Sequence, residues 1–167
     1  MTVDNEPSGA VFADDRTHRL YLWRRWNKQG PWVMFIGLNP STADERLNDP
    51  TVRRCIGFAE KWGYGGIFMC NVFTLVSTNP KKLNVETPIA MGTGLAMREI
   101  RSRCREAVAG WGNLITQVRQ GEERVERIKR ELSPLQCLGL TKLGHPKHPL
   151  YLPYSVQRIT YAAERNA

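Results

Sequence analysis

The sequence predicts an α/β fold, a three-layer sandwich with helices around a central, mostly parallel sheet of four to five strands. Three observations carry this. Two stretches, "WVMFIGL" (32–38) and "GIFMCNVFTL" (66–75), are continuous apolar runs, as expected of strands covered on both faces of a sheet. Strand-patterned and helix-patterned segments alternate along the chain, which implies crossover connections and parallel pairing. The chain's 167 residues, 41% of them apolar, are enough for one domain with a sizeable core.

Residues 1–15 are polar and are expected to form a flexible N-terminal segment, with the single α/β domain spanning 16–167. "HRLYLWRRW" (His18–Trp26) alternates apolar and basic residues and reads as an edge strand with one wet face. "NKQGP" turns the chain into the first apolar strand. "LNDPTVRRCIGFAEKWGYGG" then reads as a helix capped by Asp49, with Pro50 in its first turn and Gly63 after its end. Its apolar stripe is Val52, Cys55, Ile56, Ala59 and Trp62. The second apolar strand is interrupted by one amide, Asn71.

Beyond it, a helix is expected from Pro88 to about Arg105, then a short strand in "EAVAGWG". "NLITQVRQGEERVERIKRELS" reads as one exposed helix with Glu123–Arg127 and Glu126–Arg130 pairs at i, i+4. "LQCLGLT" is a last strand and "KLGHPKHPLYLPYS" a proline-rich loop. On the helix before "EAVAGWG", Arg98, Arg101 and Arg105 read as a solvated row.

The formal charge of +8 suits a polyanionic partner, because neutralising phosphates releases counterions. Cys55, Cys70, Cys104 and Cys137 are scattered without a Cys-x-x-Cys pair, so free thiols are expected rather than disulfides or a metal site. Neither a leader pattern nor a run of membrane-spanning length is visible, which places the expected location in the cytoplasm.

Ligands of open parallel sheets bind outside the carboxyl ends of the strands. Three polar features fall at such ends: Asn39-Pro40-Ser41, Asn71 and the His145-Pro146 loop. They are expected to converge. Each also has a plainer reading: Asn39 as a turn residue, Asn71 as an amide satisfied by backbone, His145 as a loop residue. His148 reads as a surface residue or phosphate contact, His18 as structural, and the tryptophans as core.

At these residues the chain resembles the uracil-DNA glycosylase superfamily. "FIGLNPS" is similar to its first motif, "FMCNVFTL" to its second strand, and "GHPKHPLYL" to its last, a His-Pro loop followed by a leucine. The three occur in the family's order. The whole chain also resembles an uncharacterised bacterial family, a domain of unknown function (DUF1643).

The glycosylase resemblance implies hydrolysis of the bond between sugar and base in DNA, single- or double-stranded, by a monomer that needs neither metal nor cofactor. Asn39 would orient the attacking water, since an amide is no strong base, with Pro40 stiffening its turn. His145 would donate a hydrogen bond to the base oxygen where charge gathers. Asn71 would read the polar edge of the flipped base beside Gly37 and Leu38, under a lid of Phe58, Phe73 or Tyr64. Ser41, Lys142, Lys147, His148 and Leu150 would meet DNA, Leu150 as the wedge that fills the duplex.

Motif one runs Pro-Ser instead of Pro-Gly or Pro-Tyr, and motif three reads His-Pro-Lys-His-Pro instead of His-Pro-Ser-Pro. These departures point away from uracil itself and toward a bulkier modified pyrimidine, such as one found in phage DNA. The rival readings are a non-catalytic nucleic-acid-binding module of the same fold and a hydrolase of free nucleosides or nucleotides.

Overall fold

A computed structural model describes residues 3, 5–86 and 88–163. Its strands are β1 (Ser8–Phe12), β2 (Arg19–Arg25), β3 (Trp32–Gly37), β4 (Gly66–Asn71), β5 (Cys104–Ala109), β6 (Leu135–Cys137) and β7 (Ile159–Ala162). They form one seven-stranded sheet in the order β1-β2-β4-β3-β5-β6-β7. The middle four, β4-β3-β5-β6, are parallel, while β1, β2 and β7 extend the sheet antiparallel at its two sides. The α/β class holds. The sheet is wider than the expected four to five strands and more mixed.

The helices are α1 (Pro50–Lys61), α2 (Thr93–Arg103) and α3 (Gly121–Leu132). The pleat of the two apolar runs explains the layering. Val33, Phe35, Ile67 and Met69 pack with Val52, Cys55, Phe58 and Ala59 of α1. Met34, Ile36, Phe68 and Cys70 pack on the opposite side with Met97 and Ile100 of α2 and Val125, Ile128 and Leu132 of α3. No residue type in those strands can be spared for solvent, so the runs are continuous. All four cysteines are free and buried. Among the described residues, no helix is long and apolar enough to cross a membrane.

Several expectations need correction. Ser8–Phe12, read as part of a flexible segment, is the sheet's outer strand; Gly9 lies so close to the Trp23 indole that no side chain fits there. Met1, Thr2 and Asp4 of that segment, and residues 164–167 of the expected domain, lie outside the described residues. Once β1 covers it, β2 is interior, and two of its three arginines are not wet: Arg19 and Arg24 are both buried, while Arg25 is half-buried.

The helix expected from Pro88 begins only at Thr93, and Arg105 belongs to β5. Arg98 and Arg105 are exposed as expected, and Arg101 is half-buried. Arg98 pairs with Glu131 at 2.9 Å, and Arg101 donates to the carbonyls of Leu132, Cys104 and Pro134. The long helix expected after Gly112 breaks into a 3-10 turn (Asn113–Gln117) and α3. On α3 the ion pairs are Arg127–Glu131 and Lys129–Glu126 rather than the two expected, and Arg124, Val125, Ile128 and Leu132 face inward. Within α1, Ile56 and Trp62 are only partly covered, and Phe58 takes the central buried place instead.

The cap of α1 is as expected: Asp49 Oδ1 accepts from the Val52 N–H at 2.8 Å, with Pro50 next. Asp49→Ala is expected to cost about 1 kcal/mol of unfolding free energy, and Asp49→Asn to cost almost none, because asparagine caps as well as aspartate. Urea unfolding of the two variants checks this. A loss of equal size in both would show that the carboxylate charge, not the cap bond, holds the helix.

Candidate functional site

A cavity of about 180 Å³ opens where the parallel strands end, between the β3–α1 loop, the end of β4 and the His148 turn. Its walls include Arg19, Gly37, Leu38, Asn39, Ser41, Asp49, Asn71, Trp111 and His148. Two of the three features expected to converge, Asn39 and Asn71, do so. The third does not.

Two arginines of β2 build the loop between β3 and α1. Arg19 Nη1 donates to Ala43 O (2.8 Å), while Arg24 donates to the carbonyls of Asp44 (2.6 Å) and Leu47 (3.0 Å) and to Asn48 Oδ1 (2.7 Å). Asp44 ties the loop further by accepting from the backbone of Arg46 and Leu47. The loop therefore delivers Asp49 to the cavity wall at the start of α1. Because β2 runs antiparallel to β4, its first residue, Arg19, lies at the carboxyl end of the parallel strands, where a parallel neighbour would place its last.

Arg19 is 2% exposed and has no carboxylate bonded to it. Its Nη2 donates to Asn71 Oδ1 at 3.2 Å, and its buried Nε has no partner among the described residues. Burial lowers its pKa to about 10, with Asp49 opposing the shift, so it remains a cation at neutral pH. A buried guanidinium with an idle donor is costly for the fold alone. Its place on a cavity wall suits an electron-rich ligand.

Asn71 is 4% exposed. Arg19 donates to its Oδ1, and the amide lines the cavity with its Nδ2 donor. Gly37 makes room for it: a Cβ built on Gly37 would lie 2.8 Å from Asn71 Nδ2. Gly37→Ala is accordingly expected to push the amide aside and weaken ligand binding about tenfold, close to the value of one hydrogen bond. Equilibrium titration with the ligand identified for the wild type measures it.

Asn39 donates through Nδ2 to the carbonyls of Pro40 (2.9 Å), Leu75 (3.4 Å) and Ser77 (2.8 Å). It ties the segment after β4 to the end of β3, and its Oδ1 has no partner among the described residues. The turn reading of Asn39 is met through Nδ2, and the residue also lines the cavity.

His145 lies outside this cavity. Thr141 N–H donates to His145 O, Leu140 bridges Pro146, and Gly144 (φ 81°) makes the turn, so the first His-Pro forms the return leg of a tight loop. The His145 ring turns away to Glu122 at the start of α3, with Nε2 3.3 Å from its carboxylate. The second His-Pro enters the wall instead. His148 caps a 3-10 turn (Pro149–Tyr151), its Nδ1 accepting from Leu150 N at 3.3 Å, and Pro149 packs against Gly110. With Nδ1 an acceptor, the neutral ring carries its proton on Nε2. His148 is half-buried rather than an open surface residue.

The expected aromatic lid is also absent from the wall. Phe58 and Tyr64 belong to the core beneath α1, and Phe73 to the core beneath α2 and α3. Trp111 lines the cavity in their place, with its indole Nε1 buried and unpartnered. Ser41, Gly37 and Leu38 line it as expected. Lys142 and Lys147 are exposed on the loop outside it. Leu150 is half-buried beside a second, shallower cavity with Tyr151, which is 87% exposed. Sequence reading missed Arg19, taken as a wet-face residue, and Asp49, taken only as a cap. The one available signal was an arginine opening a strand whose next four residues are all apolar.

Residues 19–150 match the family described as "Protein of unknown function (DUF1643)". The chain belongs to that family. The match runs from Arg19 to Leu150 and so includes every residue on the cavity wall. Searches of curated proteins and of solved structures found no match.

Proposed function

We propose that this DUF1643 chain accepts a single extruded nucleobase in the cavity and hydrolyses its N-glycosidic bond in DNA, on a fold of the uracil-DNA glycosylase-like sandwich type. The observation that carries this is the division of polar groups around one small space. Arg19, Asn71 Nδ2 and the Nε2–H of His148 are donors, matched to a base that leaves with negative charge. Asn39 Oδ1 and the Asp49 carboxylate are acceptors, as an attacking water needs.

At about 180 Å³ the cavity suits one heterocycle, well below the roughly 300–1,000 Å³ of sites for larger ligands. The charge of +8 favours a polyanionic substrate. His148 takes the donor role first given to His145. The Pro-Ser turn at Ser41 favours a modified pyrimidine over uracil.

The test is incubation with oligonucleotides carrying uracil and a series of 5-substituted pyrimidines, followed by mass detection of free base and of the abasic strand. Release from at least one substrate is expected. Salt-dependent binding without release from any of them would favour the non-catalytic module. The cavity's size also suits the base of a free nucleoside; release from nucleosides with no affinity for oligonucleotides would select that hydrolase instead.

A further inference from the structure

We infer that Asp49, not Asn39, activates the attacking water; the inference rests on the base-releasing reading above and assigns its proton acceptor. Asn39 is poorly suited to that task. An amide takes up no proton at neutral pH, and its Nδ2 is spent on three backbone carbonyls that hold the segment after β4. Among the described residues on the cavity wall, Asp49 is the single carboxylate.

Its geometry is that of a fixed base. Oδ1 is anchored by Val52 N–H at 2.8 Å, and Oδ2 has no hydrogen-bond partner among the described residues. The groups whose charges bear on it are Arg19 and Arg24 from β2, His148 from the 3-10 turn and the Cys55 thiol within α1. The unpartnered, buried Nε of Arg19 on the same wall is a second sign that the cavity awaits a polar ligand.

The step balances as follows. Asp49 takes one proton from water as the water oxygen bonds to the anomeric carbon. The carbon–nitrogen bond breaks, and its electron pair leaves on the base. Hydrogen bonds from Arg19, Asn71 and His148 hold the anionic base until it takes a proton from solvent, and Asp49 returns its own proton to solvent. One water is consumed, and free base and an abasic sugar are formed.

Asp49→Asn tests this, because asparagine preserves the helix cap while removing the proton acceptor. The probe is the modified-pyrimidine oligonucleotide that the wild type cleaves. Single-turnover release is expected to fall at least about 100-fold, within the range of general-base catalysis. Oligonucleotide affinity and the unfolding midpoint should stay within about threefold and 2 °C of wild type.

Release by Asp49→Asn near the wild-type rate would overturn the inference while leaving the glycosylase reading standing. A wild type that releases no base overturns both.

Discussion

Arg19→Met is expected to abolish base release while changing stability little, an outcome that separates a binding group from a structural one. Arg19 is buried without a bonded carboxylate, so the fold bears a desolvation cost of several kcal/mol for its charge. Methionine fills similar volume and removes that cost. Against this, Ala43 O and Asn71 Oδ1 lose their donors, at about 1–3 kcal/mol each.

The two contributions are of similar size and opposite sign. The unfolding free energy should therefore stay within about 2 kcal/mol of wild type. The reaction has no such compensation. It loses the cation facing the departing base, and Asn71 is freed to rotate, so release should slow by at least about 100-fold. Urea unfolding and single-turnover release on the same preparation decide it. A folded Arg19→Met protein that still releases base at the wild-type rate would remove Arg19 from the site.

How far the sequence revealed this site depends on the range of the interactions involved. β3, β4 and α1 were legible because their signals are local: apolar runs set by two covered faces, and a cap fixed within four residues. β1 was not, because its strand character comes from pairing with β2 and from Trp23 packed over Gly9. β2 reads as an edge strand, yet Arg19 and Arg24 are buried because loop carbonyls from 43–47 come to meet them. That meeting is invisible in the heptapeptide itself. The break before α3 reflects backbone closure at Val118–Gly121, with Ile115 packed so tightly on Gly121 that a side chain there would collide. Asn39 and Asn71 were found because each ends a strand that is itself easily read. Arg19 and Asp49 were missed because one looked like a wet face and the other already had a sufficient local job.

The two His-Pro steps give the largest expected contrast between neighbours. His148→Ala should slow base release by about 100- to 1,000-fold, the usual cost of one preorganised donor to a developing anion. His145→Ala should leave release within about threefold and cost only about 1 kcal/mol of stability, through its ring packing and contact with Glu122. Acidity adds a signature. Burial lowers the pKa of His148 below its ordinary 6.5, so the folded protein holds the ring neutral where the unfolded chain begins to protonate it. Between the lowered value and 6.5 the unfolded state binds more protons, and stability must fall as pH falls through that window. His148→Gln should flatten this part of the stability–pH curve. The reverse pattern, with His145 governing release, would return the reaction to the first His-Pro and empty this cavity of its proposed donor.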